Sequence, residues 1–269
     1  MADSYYNPRR VRNLYDPKAK TPFRLSRSKI DTFLKCQRCF YLDRRLGVGQ
    51  PPGFPFNLNS AVDTLLKKEF DIHRATQTPH PLMQAYGISA VPYADDRMDE
   101  WRDALRGGVV FHHEASNFLV TGGVDDIWIN EDGELHIVDY KATSKDGEVS
   151  LDADWQIGYK RQAEVYQWLL RKNGFKVSDI AYFVYCNGKS DRSAFDGKLE
   201  FDISVIPYKG DDGWIEETLR GAKNCLDSEE IPPVGEVCEY CAYRKAARDV
   251  QQEFESNKNK KPPQAKLFE

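Results

Sequence analysis

Residues 121–143 read TGGVDDIWINEDGELHIVDYKAT. Apolar residues return between polar ones from Leu119 to Ile129, Glu131-Asp132-Gly133-Glu134 has turn chemistry, and a second apolar run opens at Leu135. The pattern predicts a β-hairpin with Asp125 on its first strand and Asp139 at the end of its second. Side chains alternate along a strand, so Lys141 shares a face with Asp139. By the same alternation Asp126 points away from Asp125 and stays outside the site. The two carboxylates and the backbone carbonyl of Tyr140 make an all-oxygen site suited to Mg²⁺ or Mn²⁺, hard cations that fill the rest of their shell with water and phosphate oxygens. The chemistry that follows is hydrolysis, with the ion activating water and Lys141 orienting it or stabilising the transition state. An Asp-x-Lys alone is weak, because it recurs by chance in a chain with 30% charged residues.

Further along, residues 152–172 predict a helix that ends at Gly174, and Gln162 and Tyr166 lie one turn apart on one of its faces. The ordered set Gly122-x-x-Asp125, Asp139-x-Lys141, Gln162-x-x-x-Tyr166 resembles the RecB-like branch of the PD-(D/E)XK nuclease superfamily. That branch includes the CRISPR-associated RecB-like exonucleases and the AddAB-type nuclease domains. The resemblance implies an α/β fold, a restriction-endonuclease-like core with a central mixed β-sheet flanked by helices. It implies that Asp125 and Asp139 bind the metal, that Lys141 is catalytic, and that Gln162 and Tyr166 help place DNA. A His or an acid on an earlier helix completes the family's metal site. Here Asp63 in SAVDTLLKKEFDIHR takes the first position for it and Glu69 the second. The activity implied is that of a metal-dependent deoxyribonuclease, an exonuclease on single strands or duplex ends, in DNA repair, recombination or CRISPR adaptation. The rival from another class is a non-catalytic DNA-binding subunit with a vestigial site, against which the intact Asp139 and Lys141 argue.

Four of the six cysteines fall into two Cys-x-x-Cys pairs, Cys36 with Cys39 and Cys238 with Cys241. Thiolates at that spacing bite one tetrahedral ion or a cluster, and joining the pairs clamps the first helix to the last. LKCQRCFYL also resembles the cluster-binding element of the family's iron–sulfur members, with Cys36 at the first cluster cysteine and Gln37 in place of the usual proline. Those members take one early and three late cysteines, whereas this chain offers two and two. The resemblance implies a [4Fe–4S] cluster at these four residues; a Cys₄ set also accepts Zn²⁺.

A chain of 269 residues, 41% hydrophobic and 12% aromatic, can bury a substantial core. No apolar run spans a membrane and no leader is visible, so the expected setting is cytoplasmic with no membrane partner. A net charge of −4 argues against indiscriminate binding to nucleic acid and requires any DNA contact to be local. Residues 1–24 read as a flexible basic arm, 25–255 as one nuclease domain and 256–269 as a flexible tail. Residues 27–48 predict one helix carrying Cys36 and Cys39 on a single face. His73 and His80 lack ligand spacing and read as structural, while His112 and His113 alternate across a strand beginning at Val109. The terminal Gln264-Ala-Lys-Leu-Phe268 resembles a peptide that docks in the groove of a bacterial DNA sliding clamp, making the clamp an expected partner.

Overall fold

The computed structural model describes residues 9–53 and 57–259. In chain order, β1 (Phe23–Ser26) leads into α1 (Arg27–Lys35), α2 (Gln37–Arg44), α3 (Asn57–Thr76) and α4 (Pro81–Ala85). Then come β2 (Ala90–Pro92), α5 (Met98–Arg102), β3 (Val109–His113), β4 (Phe118–Gly122), β5 (Asp126–Asn130) and β6 (Leu135–Thr143). A 3₁₀ turn at Asp154–Gln156 opens α6 (Ile157–Lys172), and β7 (Ile180–Gly188), β8 (Phe201–Lys209), α7 (Ile215–Asp227) and α8 (Glu239–Asn259) follow.

The strands form two sheets. Five pair in the order β2-β5-β6-β7-β8, and three pair as β1-β4-β3. In the larger sheet β6 and β7 run parallel, linked by α6, and the other pairs are antiparallel, so the sheet is mixed as expected. Its two faces are both apolar. Ile127, Ile137, Phe183 and Tyr185 join the core with Val165 and Leu169 of α6, whereas Trp128, Val138, Tyr140 and Val184 pack with Leu66 and Phe70 of α3. A strand covered on both sides reads as a continuous apolar run, which is the pattern Leu135 to Val138 shows.

The predicted hairpin is only partly formed. Leu119 to Ile129 is two strands in two sheets, β4 and β5, broken after Gly122. A Cβ on Gly122 would stand 2.5 Å from Tyr166 Cε1, and one on Gly123 2.6 Å from Ala104 Cβ. The chain can pass between α6 and residue 104 only without side chains there. Val124 is then buried and donates its N–H to the Trp101 carbonyl at 3.0 Å, drawing the chain out of the first sheet. Asp125 therefore sits on the connecting bend, one residue before β5, and Asp139 lies inside β6 rather than at its end.

Three boundaries also differ. The single helix expected over residues 27–48 breaks at Cys36, which is extended and whose sulfur accepts the Cys39 N–H at 3.5 Å as the cap of α2. The arm is not free from Arg9 onward, because Tyr15 is buried against Phe23 and Phe118 and its hydroxyl donates to Asp227 Oδ1 at 2.5 Å. At the other end α8 runs through the start of the expected tail to Asn259. The clamp-like Gln264–Phe268 segment lies outside the described residues. Among these residues no helix is long and apolar enough to cross a membrane.

Candidate active site

Alternation along β6 sends Val138 and Tyr140 toward α3, so Asp139 and Lys141 face α6. Asp139 is 1% exposed and ion-paired with Lys141, and no other described group hydrogen-bonds either of its carboxylate oxygens. Burial raises its carboxyl to about 7; the Lys141 ammonium pulls it down and the Asp125 charge pushes it up. The Lys141 ammonium sits 4.4 Å from the ring centre of Tyr159 on α6, an aromatic platform that holds it over the strand.

On α6, Gln162 Nε2 donates to the Tyr166 hydroxyl oxygen at 3.1 Å. Burial lifts the Tyr166 phenol to about 12, and the Arg27 charge at the start of α1 draws it back against Asp139 and Asp125. Tyr166 thus stays a protonated donor beside the two acids, packed on Gly122. The first glycine of the Gly-x-x-Asp element is what lets that ring approach.

Asp125 is fixed from both sides. Its Oδ2 accepts the Tyr140 backbone N–H at 3.0 Å, and its Oδ1 stands 3.4 Å from Lys67 Nζ. Lys67 is also 2.8 Å from Asp63 Oδ2, one turn earlier on α3. Burial raises the Asp63 carboxyl, Asp125 adding to it and Lys67 opposing. The structure therefore gathers Asp63, Asp125, Asp139, Lys141, Gln162 and Tyr166 around one end of the sheet. A cavity of about 100 Å³ opens there, lined by Asn59, Asp63, Tyr140, Lys141 and Tyr159 among others. Glu69 is not brought in, because it bonds His80, which stacks on Phe70 at 4.3 Å. Nor is His113, whose ring pairs with Ser116 and Glu216.

Sequence reasoning missed three groups. Lys67 carried one signal, its spacing four residues after Asp63. Tyr159 carried none. The third is a buried lock behind the bend: Asp126, 0% exposed, is paired with Arg74 and with Arg102, and its Oδ2 accepts the Tyr140 hydroxyl at 2.6 Å. Arg102 Nε also donates to the Asp125 carbonyl at 3.0 Å. Burial, then the Asp126 charge, push the Tyr140 phenol well above its ordinary range, so it remains a donor.

A sequence profile of the PD-(D/E)XK nuclease superfamily matches residues 24–246, from β1 into α8. The chain belongs to that superfamily. No curated protein matches it in sequence. Among solved structures it is similar to the crystal structure of SSO0001, at 14% identity over 80% of this chain and 81% of that one, with a TM-score of 0.38. Nucleases of the superfamily use divalent metals, and the residues here suit one. A dry carboxylate with no donor other than an ammonium, beside a second carboxylate, is a costly arrangement that a cation relieves.

Some way along the chain from these acids, the four paired cysteines converge with all sulfurs within 4.8 Å of one another. Cys39 Sγ is 3.5 Å from Cys238 Sγ and 3.6 Å from Cys241 Sγ, and Cys36 Sγ is 3.9 Å from Cys241 Sγ. Burial pushes the Cys36 thiol up, but the N–H groups of Cys39 and Gly235 aimed at its sulfur outweigh it and bring it down to about 7. The set can hold a metal. Cys186 and Cys225 lie elsewhere, with burial raising both thiols to about 11.

Proposed function

We propose that the protein is a metal-dependent deoxyribonuclease acting on single strands or duplex ends. The observation that carries this reading is Asp139, buried, lacking donors except the Lys141 ammonium, and set beside Asp125. Asp125, Asp139 and the Tyr140 carbonyl would hold Mg²⁺ or Mn²⁺, which supplies Lewis acidity at the scissile phosphate. Lys141, steadied over Tyr159, orients the attacking water or meets charge developing on the phosphate. Tyr166, with Gln162 donating to its oxygen, keeps its own proton for a phosphate or water. Single strands are favoured by Trp155, 67% exposed and edge-on to Tyr159 at 5.4 Å. An open indole next to the Lys141 platform is a surface on which an unpaired base stacks.

In the same reading the cysteines hold one Zn²⁺ rather than a [4Fe–4S] cluster. Tetrahedral Zn–S bonds of about 2.3 Å place sulfurs about 3.8 Å apart, close to the separations found, whereas a cluster puts a separate iron at each cysteine and spreads them.

The test is cleavage of end-labelled single-stranded, duplex and flapped DNA in Mg²⁺ or Mn²⁺. Cleavage is expected on strands with a free single-stranded end and is lost in Asp139→Ala and Lys141→Ala, both remaining folded. Wild-type turnover in either variant, or no cleavage by the native protein, refutes the assignment; DNA binding without cleavage would instead support the non-catalytic alternative.

A further inference from the structure

The three acids of the site do not have equivalent surroundings. Asp63 and Asp125 share an ammonium, Lys67 Nζ, at 2.8 and 3.4 Å, and its side chain is only 21% exposed. Asp139, on the other side of Asp125, has Lys141 alone. Lys67 thus stands where a cation bridging Asp63 and Asp125 would stand. An ammonium at hydrogen-bond distance and a divalent ion at about 2.1 Å from the same oxygens exclude each other.

Resting on the nuclease reading above, we propose that Lys67 is a resident cation of the active site. It occupies the Asp63–Asp125 position, so the site takes a single divalent ion at Asp125 and Asp139. Asp63 then acts as the partner that fixes Lys67 and not as a metal ligand.

Two physical arguments support this assignment. Expelling Lys67 would strip a half-buried ammonium of both carboxylate partners while leaving it anchored to α3 four residues from Asp63, and breaking such a pair is strongly unfavourable. The charge count points the same way: with Lys67 and Lys141 in place the three carboxylates keep one net negative charge. One divalent ion reverses that charge, and a second would build up positive charge in a site that must also release it. Two-metal nuclease sites place their ions about 3.5–4 Å apart across shared carboxylates. Here the second of those places is filled by the chain itself.

The experiment is a Mn²⁺ titration of the full-length protein, its cysteine site filled as purified, by calorimetry and by electron paramagnetic resonance of the bound ion. The wild type is expected to take one Mn²⁺ at this site, with a resolved six-line spectrum of an isolated ion, and Asp139→Asn is expected to lose it. Lys67→Met is expected to take a second ion and to show a spin-coupled spectrum. Its metal-free melting temperature should fall, and Mn²⁺ should raise it by more than in the wild type. Two coupled ions in the wild type overturn the resident-cation assignment and leave the nuclease reading standing, as does a folded Lys67→Met that still takes one. Absence of any ion sensitive to Asp139→Asn removes both. The wild-type stoichiometry needs no variant to fold.

Discussion

Replacing Asp126 by Asn tests whether the buried lock behind the bend sets the active site. The carboxylate is wholly buried and serves two guanidiniums, Arg74 and Arg102, along with the Tyr140 hydroxyl. Asn keeps the size and one acceptor but removes the charge. Taking one partner from a buried ion pair costs about 3–5 kcal/mol. Arg74 Nε and Arg102 Nη1 each retain Asp71 at 2.9 Å, which places Asp126→Asn at the lower end, about 3 kcal/mol. Asp126→Ala also leaves the Tyr140 hydroxyl without its acceptor, adding about 1–3 kcal/mol. A domain stable by about 5–15 kcal/mol survives Asp126→Asn folded. Urea unfolding measures the loss, and a double-mutant cycle of Asp126→Asn with Arg74→Met should show a coupling of at least about 1 kcal/mol, since the two groups interact directly. Because Arg102 also holds the Asp125 carbonyl, Mn²⁺ affinity should drop by about 10–100-fold, as expected when a support of a metal ligand is lost. A variant within about 0.5 kcal/mol of wild type, the range of surface changes, or one with unchanged Mn²⁺ affinity, would show that the lock does not position the bend.

Gly122→Ala should cost about 1–3 kcal/mol by overpacking and slow cleavage as well, since the added methyl meets the Tyr166 ring at 2.5 Å; melting and cleavage measured together check it, and wild-type values in both would refute the close packing. Asp43 is buried with Lys29, Arg44 and Arg10 around it, so Asp43→Asn should lose about 3–5 kcal/mol at neutral pH. Burial raises the Asp43 carboxyl, but Lys29 and Arg44 outweigh it and hold it below its ordinary value. That stabilisation is present above the ordinary carboxylate pKa and lost as pH falls through the folded one, so the gap between wild type and variant should narrow as pH falls below the ordinary carboxylate range. Among its described residues α8 buries only Cys241, so it has little of the tertiary packing from which most helical stability in proteins comes. Chelating the metal proposed at the cysteines, or Cys238→Ser, should therefore expose residues 229–259 to limited proteolysis while the sheet's melting transition moves little; a protected α8 would mean that something else holds it.

Much of this was legible in local sequence because its causes are local. Apolar runs, turn residues and a 3.6-residue period gave β6 and α6, the resemblance implied the mixed sheet, and the spacing of Asp139 with Lys141 and of Gln162 with Tyr166 put each pair on one face, as found. The two Cys-x-x-Cys pairs announced their own convergence, since thiolates at that spacing can bite one tetrahedral ion or cluster. What lay beyond the sequence depended on contacts between distant segments. Leu119 to Ile129 has the pattern of one strand, and only the crowding of Tyr166 and Ala104 against Gly122 and Gly123 splits it and turns Asp125 out on a bend. Asp126 looked surplus because alternation sends it away from Asp125, yet burial among Arg74, Arg102 and Tyr140 makes it a support of the site. Lys67 reads as an ordinary exposed helix lysine until folding sets it between Asp63 and Asp125, more than fifty residues apart. Periodicity fixes which way a side chain leaves its own element, but the charge it meets there is set by which elements pack together.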